Sequence, residues 1–233
     1  MTTRGGRGKS VAVSTAAPDA FLLDLDGTLV DSERENIESV VLAVRRHGAE
    51  MSVEERQFVI GHSWNEIYEI VARNHALPVT MTQLIAEAVD EKRKLVAVSG
   101  HRALPGAVSA VKRFARTSKL AVVTGASTAE ARDSIAGVGL ADYIAVLVAA
   151  EDYTHGKPAP EPYAQAIARL GVSAARSIAI EDATPGILSA RAAGARVIAV
   201  RAGNFACYDL SPADVVVDTL DDVTDELIAR LLP

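Results

Sequence analysis

Short apolar runs that alternate with helical periodicity constrain this chain more than any other feature. A helix over 105–117 precedes the run Leu120-Ala121-Val122-Val123, and a helix over 127–137 precedes strands near 143–149. A helix over 160–170 leads to Ser177-Ile178-Ala179-Ile180, and one over 184–194 leads to Val197-Ile198-Ala199-Val200. Asp214-Val215-Val216-Val217 closes the series. Runs this short and this apolar are buried on both faces. Joined through helices, they form a parallel sheet covered on both sides.

One further strand, Phe21-Leu22-Leu23, stands far upstream. Between it and residue 105 the texture is helical. Ile37, Val40, Val41 and Val44 recur at helical spacing within 33–47, and 53–60, 64–76 and 80–98 continue in the same way. Breaks fall at Gly48, at Gly61-His62-Ser63 and at Pro78. Ser63 is placed to cap the helix starting at Trp64, with Glu66 at the capping-box position. The expected class is α/β, a parallel sheet core with an all-helical insert after its first strand. The expected division is a tail over 1–18, a core of 19–30 and 103–233, and a helical unit over 31–102.

Composition excludes several functions. The 233 residues carry 24 Lys plus Arg against 30 Asp plus Glu, a net charge of −6, which argues against a nucleic-acid partner. Cys207 is the single cysteine, so neither an intrachain disulfide nor a cysteine zinc cluster is available. That agrees with a reducing, cytoplasmic setting. No apolar run approaches the roughly 20 residues of a membrane helix. Val11-Ala12-Val13 is too short for a secretory apolar region, and residues 1–18 read as a disordered tail. The assembly expected is a monomer or weak dimer.

In an open parallel sheet, ligands bind beyond the carboxyl ends of the strands. The first strand ends at Asp24 and Asp26; Val122-Val123 ends at Thr124-Gly125; Ile178-Ala179-Ile180 ends at Glu181-Asp182. The loop His155-Gly156-Lys157-Pro158 lies between sheet segments. Each element alone has an ordinary reading: an acid as a turn or helix cap, Thr124-Gly125 as a plain turn, Lys157 as a solvated lysine. Together they bring four acids, a hydroxyl and a lysine to one edge. Buried carboxylates need a compensating cation, and hard oxygen ligands suit Mg²⁺. A lysine and a hydroxyl beside that ion make a place for a phosphate dianion.

Asp24-Leu25-Asp26-Gly27-Thr28, Thr124, Gly156-Lys157-Pro158 and Glu181-Asp182 resemble, in order, the four-motif signature of the haloacid dehalogenase superfamily. The similarity extends through GKPAPEPY and IEDATPGILSARAAG and covers about residues 19–218. It implies a Rossmann-like catalytic core, with the helical insert as a small cap. It implies Asp24 as nucleophile and Asp26 as general acid/base. Thr124, Gly125 and Lys157 would hold the phosphoryl oxygens. Asp24, Asp182 and the backbone carbonyl of Asp26 would bind Mg²⁺, with Glu181 supporting the metal through water.

An acid at position 26 separates phosphomonoester chemistry from the dehalogenase and phosphonate branches of that family. The reaction implied is hydrolysis of a small phosphorylated metabolite, such as a sugar phosphate, through an aspartyl phosphate. A β-phosphoglucomutase-type phosphomutase is the alternative. That branch carries a cap histidine twelve residues after the nucleophile, where this chain has Asn36, and its cap-loop lysine and arginine have no counterpart in Ile60-Gly61-His62-Ser63-Trp64. A phosphate-ligand binding protein without turnover is a further alternative. His62, Ser63 and Trp64 are the candidate specificity residues of the cap.

Overall fold

A computed structural model describes residues 17–60 and 62–233. The tail expected over 1–18 lies outside the described residues, except for Ala17 and Pro18. Those two are held, because their carbonyls accept from Arg176 Nη2 (2.7 Å) and Ser118 Oγ (2.8 Å).

Among the described residues, six strands form one parallel sheet in the order β3-β2-β1-β4-β5-β6. They are β1 Ala20–Leu23, β2 Lys119–Val123, β3 Val146–Val148, β4 Ser177–Glu181, β5 Arg196–Val200 and β6 Val215–Val217. The first strand in sequence lies in the interior of the sheet. Its residues pair with β2 through Leu22↔Ala121 and with β4 through Leu22↔Ala179.

The two-residue side-chain period of a strand divides the core into two layers. Phe21, Leu23, Val122, Ile178, Ile180 and Ile198 face one side, beneath α5 (Ala107–Phe114), α6 (Thr128–Gly137) and α9 (Asp225–Leu231). Phe21 stacks on Phe114 there, ring centroids 3.9 Å apart. Leu22, Ala121, Ala179, Val197 and Ala199 face the other side, beneath α7 (Glu161–Leu170) and α8 (Thr184–Ala192). The small alanines of this second face leave room for Tyr163, the bulkiest fully buried side chain among the described residues.

Between β1 and α5 the chain forms α1 (Glu33–Arg45), α2 (Val53–Phe58), α3 (Trp64–His75) and α4 (Met81–Ser99). These four helices enclose their own core of Val40, Val41, Val44, Ile67, Val71 and Leu84. Capping boxes start three of them, at Ser52/Glu55, Ser63/Glu66 and Thr80/Gln83. The two chain segments that join this unit to the sheet run side by side. Asp31 N–H donates to Arg102 O (2.9 Å), Leu104 N–H donates to Leu29 O (3.0 Å), and Arg102 pairs with Asp31 (3.2 Å).

The strand expected near 143–149 is shorter than the apolar pattern suggested. A 3₁₀ turn, Ala141–Tyr143, takes up its start, and only Val146–Val148 registers against Ala121–Val123. Helix α9, capped by Thr224, was not anticipated; its apolar positions are too few to show a period.

Candidate active site

Asp24 directly follows β1 and Glu181-Asp182 end β4, so strand pairing alone sets these acids beside one another; Asp24 N–H continues the ladder onto Ile180 O (3.0 Å). Asp24, Glu181 and Asp182 are each buried, and each offers a carboxylate oxygen within 4.8 Å of the others. Lys157 Nζ enters between them. It donates to Asp24 Oδ1 at 2.5 Å, to Glu181 Oε1 at 2.6 Å and to the Val123 carbonyl at 3.1 Å. Tyr163, rising from α7 through the alanine-lined layer, donates its hydroxyl to the same Glu181 oxygen at 2.6 Å.

Three other contacts shape the cluster. Gly27 has φ +81°, and a Cβ there would overlap the Asp182 carboxylate, so only glycine turns the chain here. Thr28, wholly buried, donates to Asp182 Oδ1 at 3.3 Å. Asp26 lies just outside the cluster and accepts a 2.6 Å hydrogen bond from Ser32 Oγ at the start of α1. The last acid thus stays beside the mouth of the cleft rather than joining the buried three.

The electrostatics are unbalanced. Burial pushes the Asp24 carboxyl up to about 7 against the pull of Lys157, and Glu181 adds to the rise. Burial, Asp24 and Glu181 together push Asp182 up to about 9. Burial works against the Lys157 ammonium, but Asp24 and Glu181 outweigh it and hold its pKa above the ordinary lysine value. Three carboxylates against one ammonium leave two formal negative charges, the complement of one divalent cation. An all-oxygen donor set of this kind suits Mg²⁺.

Thr124 follows β2 and is almost wholly buried; its hydroxyl accepts from Ala126 N–H (3.0 Å), and Gly125 leads into the cap of α6 at Ser127. A cleft of about 200 Å³ opens over Asp24, Asp26, Lys157 and Asp182. His62 and Trp64 do not line it. They line a neighbouring cavity of about 210 Å³ together with Asn36, Lys92 and Glu130. His62 stacks on Phe58 with ring centroids 3.7 Å apart. Ser63 accepts from Glu66 N–H and donates to Glu66 Oε2, so its hydroxyl is committed to the start of α3. Gly61 lies outside the described residues.

Sequence reasoning missed Tyr163, Thr28 and Ser32. Tyr163 was within view, six residues beyond Lys157 and two beyond the first residue of α7, where a helix rising from the lysine loop returns a side chain to the lysine.

Residues 21–200 match the family model for haloacid dehalogenase-like hydrolases. The chain belongs to that family. Within it, the chain is 31% identical to hexitol phosphatase A of Escherichia coli (strain K12), over 88% of this chain and 92% of the relative. It is 30% identical to a validoxylamine A 7′-phosphate phosphatase of Streptomyces hygroscopicus subsp. limoneus, over 87% and 94%. A plasmid-borne phosphoglycolate phosphatase of Cupriavidus necator is 32% identical over 92% and 93%. Among solved structures, CbbY of Rhodobacter sphaeroides in complex with phosphate matches with a TM-score of 0.75 at 21% identity, over 88% of this chain and 96% of that one. A putative β-phosphoglucomutase of Thermotoga maritima matches with 0.73 at 22% identity, over 91% and 97%. At such identities the structures establish the shared fold. Among the described residues, no helix of this haloacid dehalogenase-like hydrolase is long and apolar enough to cross a membrane.

Proposed function

We propose that this hydrolase is a Mg²⁺-dependent phosphatase that cleaves a small phosphomonoester of the sugar-phosphate kind through an aspartyl phosphate. The observation that carries the reading is the buried set of Asp24, Lys157, Glu181 and Asp182 at adjoining strand ends, with Asp26 at its mouth. A phosphomonoester hydrolase needs a carboxylate nucleophile, a cation to hold it ionised and a second acid for proton transfer. These residues supply all three. The phosphatase relatives support the same class of reaction.

Asp24 attacks phosphorus, forming an O–P bond while the ester O–P bond breaks, and Asp26 gives its proton to the departing alkoxide. The Asp26 carboxylate then takes a proton from water, which attacks the aspartyl phosphate and releases inorganic phosphate. The Ser32 hydrogen bond fixes the orientation of Asp26 for both transfers. Lys157 keeps Asp24 charged before attack and, with Thr124 and Gly125, balances the phosphoryl oxygens afterward. Glu181, pinned by Tyr163, holds Lys157 in place. Asp24, Asp182 and the Asp26 carbonyl would hold Mg²⁺, with Glu181 alongside. The ion when bound neutralises developing charge on the phosphoryl group. The helices α1–α4 act as a cap above the cleft, and the paired segments at 29–31 and 102–104 form its hinge.

A phosphomutase reading needs a grip on a second phosphate. Asn36 in place of the cap histidine, and a 60–64 loop without cations, leave that grip unfilled. The deciding experiment is phosphate release from a panel of metabolite monoesters, with Mg²⁺ and with EDTA. Expected are Mg²⁺-dependent release and its loss in Asp24→Asn. Transfer between positions of a sugar without net release would establish the mutase instead, and ligand binding without turnover would establish a binding protein.

A further inference from the structure

We propose that the loop after β5 is a fixed wall of the substrate site, in which Phe205 determines specificity by taking the carbon face of an uncharged, polyhydroxylated leaving group and Asn204 positions it. The proposal rests on the phosphomonoester reading above and extends it to the leaving group.

The loop is locked against the nucleophile's own turn. A Cβ on Gly203 would overlap the Gly27 carbonyl, so the two backbones meet only because both positions are glycine. Asn204 then clamps the loop through one residue. Its Oδ1 accepts from Tyr208 N–H at 2.7 Å, and its Nδ2 donates to Tyr208 O at 2.8 Å. Phe205 N–H donates to Gly203 O at 2.8 Å, and Thr184 Oγ1 at the first turn of α8 donates to Asp209 O at 2.7 Å. A segment fastened at both ends and across its middle has little freedom to turn Phe205 inward.

Phe205 is accordingly 42% exposed, and it lines the cleft that contains Asp24 and Lys157. A lone exposed aromatic is ordinary. One held rigidly at the rim of a phosphoryl site is a platform for the C–H face of a substrate. The charges around it choose the rest. Among the described residues, Lys157 is the one cation lining this cleft, and Asp24 and Glu181 already engage it. Glu33, from the first turn of α1, and Asp26 face the remaining space. Carboxylates accept hydrogen bonds from hydroxyls and repel a second anionic group. Lys92 belongs to the adjoining cavity, which Glu130 also lines. The leaving group that fits is a neutral sugar or polyol, not a carboxylate or a second phosphate.

The test compares kcat/KM for sorbitol 6-phosphate, phosphoglycolate and acetyl phosphate with Mg²⁺ present. Acetyl phosphate probes the phosphoryl site with too few atoms to cover Phe205. The natural enzyme is expected to favour sorbitol 6-phosphate over phosphoglycolate by tenfold or more. Phe205→Ala is expected to lower kcat/KM for sorbitol 6-phosphate by about 10- to 100-fold, chiefly through KM, and at least tenfold more than for acetyl phosphate. Asn204→Ala should reproduce that selective loss, and Phe205→Trp should retain the preference. Equal losses on both substrates, no loss, or a preference for phosphoglycolate would each overturn the proposal while leaving the phosphatase reading intact. An enzyme inactive on all three phosphate compounds would overturn the phosphatase reading and this proposal with it.

Discussion

Gly186→Ala tests the buried cluster from behind, because helix propensity and tertiary contact predict opposite signs. Gly186 lies in the first turn of α8, and alanine within a helix is normally more stable than glycine by up to ~1 kcal/mol. Here a Cβ would overlap both oxygens of the Glu181 carboxylate. That group is fixed at 2.6 Å by Lys157 and at 2.6 Å by Tyr163, so displacing it breaks two charge-assisted hydrogen bonds. Such bonds contribute ~1.5–3 kcal/mol each, so the loss of both, offset by ~1 kcal/mol of propensity, leaves a net cost of ~2–5 kcal/mol. For a chain of this size that corresponds to a Tm lower by ~4–20 °C. Urea and thermal unfolding in EDTA measure the stability change, and phosphate release in Mg²⁺ should fall in parallel. The same substitution in a Glu181→Ala background removes the collision and should be neutral or stabilising. A Gly186→Ala variant as stable as the natural protein, or more so, would show that Glu181 has a second resting place and that its grip on Lys157 is not set by packing.

Asp26→Asn should lower turnover by ~10²–10⁴-fold, less in single-turnover phosphorylation by an activated aryl phosphate than by an alkyl ester; equal losses would refute its acid role. Mg²⁺ should stabilise the protein even without substrate, by ~2.7 kcal/mol at a hundred times its Kd, and Asp182→Asn should blunt the accompanying rise of the midpoint in a thermal-shift titration. In the helical unit, burial raises the Glu55 pKa, but hydrogen bonds from His75, Asn74 and the Ser52 N–H outweigh it and hold the carboxyl below its ordinary 4.5. Its stabilisation is therefore present above that value and lost as pH falls through the lower, folded-state value. Glu55→Gln should flatten that acid limb of a stability–pH curve.

What the sequence disclosed was whatever depends on neighbours along the chain. The apolar runs mark β1, β2, β4 and β5 because a doubly covered strand has no polar side to hide. Asp24, Asp26, Thr124 and Asp182 could be singled out because they come just after those strands, and Lys157 through its motif. Gly186 and the Gly203–Phe205 loop were not legible, and Tyr163 only through its spacing from Lys157. Their contacts come from the register of β1 on β4, from the space left by three alanines and from two glycine backbones touching, which are tertiary features. Of the candidate specificity residues, His62 and Trp64 line the cavity beside the cleft, and the capping box that locates α3 engages the Ser63 hydroxyl.

The position of β1 inside the sheet bears on how a ribosome delivers this protein. Phe21–Leu23 emerges about a hundred residues or more before either of the strands that flank it. At ~5–20 residues per second, the central strand waits roughly 5–20 s for its first neighbour. The intervening residues build a helical unit with its own core, which has what it needs to collapse during that interval. Strand β1 is thus an unpaired adhesive segment of the nascent chain for that interval, and chaperone protection during synthesis should concentrate on it rather than on the helices that follow.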